Sequence, residues 1–160
     1  MIRTLVAGDR SWLESMAADF FQELSWNAPG LFAPEAARIH ADLYLAGGEN
    51  VISLVITSAG DANENVKADS GTEPCSVLLA RVLQRPARNP ARVLTVDIAY
   101  TPPEFRGRGW MSELLEALSA DAAKRNITRL ELGTPVNGPA RAYWTKRGFV
   151  EEFIQMSRGF

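Results

Sequence analysis

The chain has 160 residues, 46% of them hydrophobic, a formal charge of −2 and a pI near 5.5. That fits one domain with a real core, and the acidic balance argues against nucleic-acid binding as its main business. One cysteine excludes an internal disulfide, and one histidine with no Cys/His/carboxylate cluster at ligand spacing leaves no metal site to propose.

Residues 2–6 read as a short first strand, and Asp9 suits the cap of a helix over 10–26. Trp12, Leu13, Met16, Phe20 and Leu24 recur near helical spacing there and are expected in the core. Phe21 and Trp26 fall off that stripe and are candidates to face a substrate cleft. Residues 27–33 form a Pro/Gly loop containing Phe32. Pro34 opens a second helix over 34–46, which Gly47 and Gly48 end. Residues 51–57 and 75–83 read as strands able to pair, with Cys75 a small buried residue in the second. Residues 58–74 between them are polar, longer than a hairpin loop and expected to be mobile.

Residues 93–100 are strongly strand-like. Leu94, Val96, Ile98 and Tyr100 are predicted on one face, and Val93, Thr95, Asp97 and Ala99 on the other. A basic, glycine-rich turn follows, then a helix over 112–125 with Leu114, Leu115, Leu118 and Ala122 on its apolar face. A strand over 129–132, a helix over 137–146 ended by Gly148, and a last strand over 150–156 complete the chain. The order β-α-α-β-β-β-α-β-α-β predicts a single α/β domain: one mixed sheet with helices on both faces and no internal boundary. No apolar run approaches membrane-spanning length and no leader-like segment opens the chain. The expectation is a soluble, cytoplasmic protein without membrane contact.

The turn Arg106-Gly107-Arg108-Gly109-Trp110-Met111 is the most informative stretch. Glycines let a backbone approach an anion, and the first free N–H groups of a helix point at it. Backbone N–H groups from Gly107 to Ser112 suit a pyrophosphate, and Arg106 or Arg108 suits a charge-assisted contact. Taken alone, a solvated basic turn explains the stretch equally well.

Three features together resemble the GCN5-related N-acetyltransferase (GNAT) superfamily. The turn is similar to its Gln/Arg-x-x-Gly-x-Gly/Ala loop. Tyr100-Thr101-Pro102-Pro103-Glu104-Phe105 resembles the Tyr-Thr-Pro-Pro-Glu-Tyr run of a branch of bacterial predicted acetyltransferases. Asn137-x-x-Ala140-x-x-Tyr143-Trp144-x-x-x-Gly148-Phe149 resembles the Asn-x-x-Ala-x-x-Leu-Tyr-x-x-x-Gly-Phe signature. The motif match covers residues 93–160, which the resemblance makes the acetyl-CoA-binding core; residues 1–92 would shape the acceptor site.

The resemblance implies acetyl-CoA as cofactor. Its pantetheine arm would lie along Ala99, Tyr100 and Thr101, its pyrophosphate on the loop, and Asn137 would touch it from the mouth of the following helix. A plain N-cap is the alternative for Asn137. Two departures stand out. Met111 replaces the usual last Gly or Ala of the loop, and Trp144 stands where many members carry a tyrosine that protonates the leaving thiolate. Indole is no acid at neutral pH, which leaves Tyr143, water, or no acid at all.

The implied reaction is direct acyl transfer to a primary amine of a small molecule or peptide. An amine must first lose a proton. Asp97, the single carboxylate of the strand before the loop, is the candidate base, with an ion pair to a neighbouring arginine as the alternative; Glu131 is a lesser candidate. A backbone N–H near Ala99 or Tyr100 would meet the developing oxyanion. Phe21, Trp26 and Phe32 suggest an apolar or amphipathic acceptor. A non-catalytic acyl-CoA-binding module is the rival reading, supported by Trp144. A toxin-type enzyme acting on aminoacyl-tRNA would want a basic face, which the bulk charge does not favour. A homodimer through the C-terminal strand, with Phe153, Ile154 and Met156, remains open.

Overall fold

The computed structural model describes residues 1–27, 29–57 and 74–152. The elements are β1 (Ile2–Arg3), α1 (Arg10–Ser25), α2 (Ala36–Ala46), β2 (Val51–Thr57), β3 (Pro74–Gln84), β4 (Arg92–Tyr100), α3 (Trp110–Lys124), β5 (Leu130–Leu132) and α4 (Ala140–Thr145). The strands form one mixed sheet in the order β1-β2-β3-β4-β5, antiparallel except for the parallel pair β4–β5 that α3 connects.

Two cores lie on opposite faces of the sheet. On one, Leu13, Met16, Phe21, Ala41 and Tyr44 from α1 and α2 pack on Val55, Val77 and Leu79. On the other, Leu114, Leu115 and Leu118 from α3 pack with Trp144 from α4 on Ile52, Leu78, Ala80 and Val82. Alternation along β3 supplies both faces, which is why its residues from Pro74 to Ala80 are all buried. Truncating one of the fully buried leucines, such as Leu78 or Leu118, would cost about 2–5 kcal/mol.

The alternation expected along β4 does not hold through its length. Ala80 pairs with Val96 and Leu79 with Ile98, so Asp97 is the extra residue of a β-bulge. Leu94 and Val96 therefore face α3, while Ile98 and Tyr100 face α1 and α2. A single inserted residue flips every later side chain to the other face.

Other corrections are local. Phe21 belongs to the core stripe of α1 rather than lying off it, at 8% exposure. Asp9 stands at the N-cap of α1, but its carboxylate turns back to Arg3 (2.6 and 2.8 Å) and to the Val6 N–H (2.9 Å). β1 is only two residues long. α4 starts at Ala140 instead of residue 137; Pro139 disfavours helix in the residue before it and suits a helix start itself. Val150 to Glu152 form no strand. The remainder of the strand expected over 150–156, including Phe153, Ile154 and Met156, lies outside the described residues, as does the loop over 58–73.

Candidate active site

A short 3-10 turn, Pro103–Phe105, carries the chain from β4 to the loop before α3. Gly107 and Gly109 adopt φ of 79° and 83°, and Gly109 is the N-cap of α3. A Cβ at either would meet nothing within 4 Å, so the requirement for glycine is conformational rather than steric. The Ser112 N–H turns back to the Gly109 carbonyl at 2.9 Å. The N–H groups of Gly107 through Met111 have no acceptor among the described residues. They stand at the positive end of a 15-residue helix.

Three arginines surround this end. Arg108 lies over the rings of Phe105 (5.8 Å) and Trp110 (5.2 Å). Arg147, just beyond α4, sits 3.5 Å over the Tyr143 ring and donates to Ser112 Oγ at 2.7 Å. Neither has a carboxylate partner among the described residues. Arg106 points away from the loop: it donates to the Thr101 carbonyl and to both oxygens of Glu23 on α1. Met111 is half-buried against the α3 core, so its side chain turns inward, off the loop.

Beside the loop, β4 has a free edge. β5 pairs with β4 only at Leu94, Thr95 and Val96. From Asp97 to Tyr100, including Ala99, β4 has a strand partner only in β3 among the described residues. An unpaired strand edge is able to hydrogen-bond an extended ligand chain as a further strand.

Asp97, at the bulge where that edge opens, is fully engaged. Its Oδ2 accepts from the Tyr44 hydroxyl (2.6 Å) and from Arg81 Nε (2.5 Å), and its Oδ1 accepts from Arg81 Nη2 (3.1 Å). Burial first, then the Asp97 carboxylate, push the Tyr44 hydroxyl well above the ordinary tyrosine range. Glu131 is ringed by Arg85 (3.2 Å), Arg88 (3.5 Å) and Arg129 (2.8 Å).

On α4, Trp144 is buried in the α3-side core and stacks edge-on against Phe149 at 5.4 Å. Tyr143 is half-buried beside it, and its hydroxyl is buried with no hydrogen-bond partner among the described residues. An orphaned buried hydroxyl is uncommon and costs stability. Asn137 is exposed in a turn before Pro139; it is not the N-cap of α4.

On the opposite side of the sheet, an open cleft of about 230 Å³ lies between α1 and the start of α2, lined by Phe21, Gln22, Ser25, Phe32 and Ala37 among others. Phe21 and Phe32 are in ring contact at 4.6 Å. Trp26, 71% exposed, does not line the cleft.

The sequence reading did not single out Arg147, Glu23, Tyr44 or Arg81. Arg147 alone left a local trace, since its i−4 spacing from Tyr143 near the Gly148-Phe149 helix end allows the stacking. The partners of the other three are distant along the chain.

Among the described residues, no helix is long and apolar enough to cross a membrane. No curated protein matches the sequence. In fold, a mutant of the BH1408 protein from Bacillus halodurans superposes with a TM-score of 0.80 at 14% identity, over 100% of this chain and 99% of that one. A predicted acetyltransferase from Clostridium acetobutylicum, solved with acetyl-CoA, gives 0.68 at 18% identity over 98% and 95%. AAC(6')-Iy, solved with the bisubstrate analogue CoA-S-monomethyl-acetylneamine, gives 0.68 at 16% over 100% and 97%. Residues 67–149, just over half of the chain, match the model of the acetyltransferase (GNAT) family. The chain belongs to that family, whose cofactor is acetyl-CoA.

Proposed function

We propose that this acetyltransferase transfers the acetyl group of acetyl-CoA directly to a primary amine of a small molecule or peptide. One observation carries the reading: among the described residues, the N–H groups of Gly107 to Met111 are unpaired, Arg108 and Arg147 flank them without carboxylate partners, and they adjoin a free edge of β4. The loop suits a pyrophosphate and the edge suits an amide-bearing arm. The bound cofactor supplies an activated thioester.

The chain's own groups then divide the work. Gly107 to Met111 and the two arginines hold the phosphates, the Ser112 N–H being taken by the Gly109 carbonyl; Ala99, Tyr100 and Thr101 align the arm. The Tyr143 hydroxyl, with no partner among the described residues, is the proton donor for the departing thiolate. Asn137, exposed before α4, borders the cofactor path. Asp97 acts on the amine through the bulge it organises, and any proton it receives must compete with Arg81 and Tyr44 for its oxygens. The cleft lined by Phe21 and Phe32 favours an acceptor with an apolar portion.

The engagement of Asp97 and the burial of Trp144 favour a second reading, a non-catalytic acyl-CoA-binding module. Calorimetric titration with acetyl-CoA, beside a folded Arg106→Ala/Gly109→Pro variant, tests the shared step. Binding near one equivalent, lost in the variant, is the expected result, and no binding by the wild type at millimolar cofactor would sink both readings. Thiol release with an amine panel then separates them: turnover with any amine ends the binding-module reading.

A further inference from the structure

Arg106 stands at the entrance to the phosphate loop, yet its charge is engaged elsewhere. Its Nη2 donates to both oxygens of Glu23 on α1, at 2.7 and 2.9 Å, and its Nε to the Thr101 carbonyl at 2.8 Å. Its guanidinium lies 5.6 Å over the Tyr100 ring. The Tyr100 hydroxyl donates to the same Glu23 Oε1 at 2.8 Å. One carboxylate thus holds two donors, one from the end of β4 and one from the start of the loop. Of the three arginines around the α3 N-terminus, Arg106 alone carries an internal anion among the described residues.

A guanidinium accepts carboxylate and phosphate oxygens with the same planar fork. The pair is partly exposed, with 48% of the Arg106 side chain and 31% of that of Glu23 accessible. An ion pair in that setting is weak and can exchange partners. We infer that Glu23 is an internal stand-in for the cofactor's pyrophosphate on Arg106. Binding of the cofactor moves Arg106 from the carboxylate to the phosphate. Glu23, still hydrogen-bonded by Tyr100, is then left as an uncompensated anion on the α1 side of β4. Only hydrogen bonds are exchanged, and no proton moves.

Before the cofactor arrives, Arg106 neutralises Glu23. Afterwards, Glu23 attracts a cation, and Asp19 one turn earlier on α1 is near enough for its charge to act on the Tyr100 hydroxyl. The acceptor class is therefore a cationic amine. This deepens the acetyltransferase reading and rests on the cofactor occupying the loop.

A double-mutant cycle on CoA affinity tests it, by calorimetry at low ionic strength on wild type, Glu23→Gln, Arg106→Ala and the double variant. Glutamine keeps an acceptor for Tyr100 and removes the competing charge. Glu23→Gln is expected to bind CoA about two- to fivefold more tightly, the size of a partly exposed ion pair. The gain is expected to vanish when Arg106→Ala is the background. Unchanged or weaker binding by Glu23→Gln would overturn the inference and make Glu23 a buttress for Arg106. A gain that persists without Arg106 would overturn it as well, as a general charge effect. Failure of the wild type to bind CoA is a different result, because it removes the cofactor reading itself.

Discussion

The Tyr44 hydroxyl donates to Asp97 across 53 residues of sequence, at 2.6 Å, and joins the last turn of α2 to the bulge of β4. Arg81 from β3 closes the network on the other side of the same carboxylate. The network sits at the point where β4 parts from β5, so the shape of the edge proposed for the cofactor depends on residues that need not touch it. Tyr44→Phe removes a donor from a mostly buried carboxylate and is expected to cost about 1–3 kcal/mol in chemical denaturation. A variant as stable as wild type would show that water replaces the hydroxyl at no penalty.

Tyr44 and Tyr100 also predict an alkaline limit. Burial comes first as the cause for both, followed by Asp97 for Tyr44 and Glu23 for Tyr100, and both hydroxyls are raised above the ordinary value near 10. The folded state therefore keeps protons that the unfolded state has lost. This contribution is complete below about pH 10 and disappears as pH rises through the folded values. Unfolding free energy should fall with pH above about 10, and less steeply in Tyr44→Phe. Equal slopes in the two proteins would contradict the assignment.

Tyr143 and Trp144 should respond in opposite ways. Tyr143→Phe deletes a hydroxyl that has no partner among the described residues, so stability should stay within about 1 kcal/mol of wild type or rise. Turnover should fall by about 10²-fold or more if the hydroxyl protonates the departing thiolate, with a smaller loss for acceptors assayed at low pH. Trp144→Ala should cost about 3–5 kcal/mol through the core. Trp144→Tyr should not raise turnover, because that side chain points into the α3-side core. Faster turnover in Trp144→Tyr would return the acid to position 144.

At Gly109, a left-handed φ of 83° and an open Cβ position predict a mild fold defect. Gly109→Ala should lose about 1–2 kcal/mol from backbone strain alone, and CoA affinity should drop alongside. Arg147→Ala should weaken CoA binding and flatten its dependence on salt, since it removes a charge beside Ser112. Salt dependence identical to wild type would remove Arg147 from the phosphate site.

Much of this architecture is legible in the chain. The span of β2, the cores of β3, β4 and α3, and the loop at 106–111 follow from periodicity, glycine placement and strand-to-helix order, which are local properties. What the chain order did not disclose is long-range. The bulge at Asp97 exists because β3 and β4 differ by one residue in register, and it reverses the faces of Ile98 and Tyr100. Arg106 looks from sequence like a phosphate ligand, but Glu23, 83 residues earlier, claims it.

The sequence by itself determined the element order as far as α4, the apolar faces of the helices and the glycine-rich helix start, since each depends on residues a few positions apart. Only the tertiary structure decided which side chains meet at the site. The free edge of β4, the burial of Trp144, the approach of Arg147 to Ser112 and the engagement of Asp97 by Tyr44 and Arg81 all come from packing distant elements together. Pairings of that kind are set by sheet register and helix docking, and no local pattern in the chain encodes them.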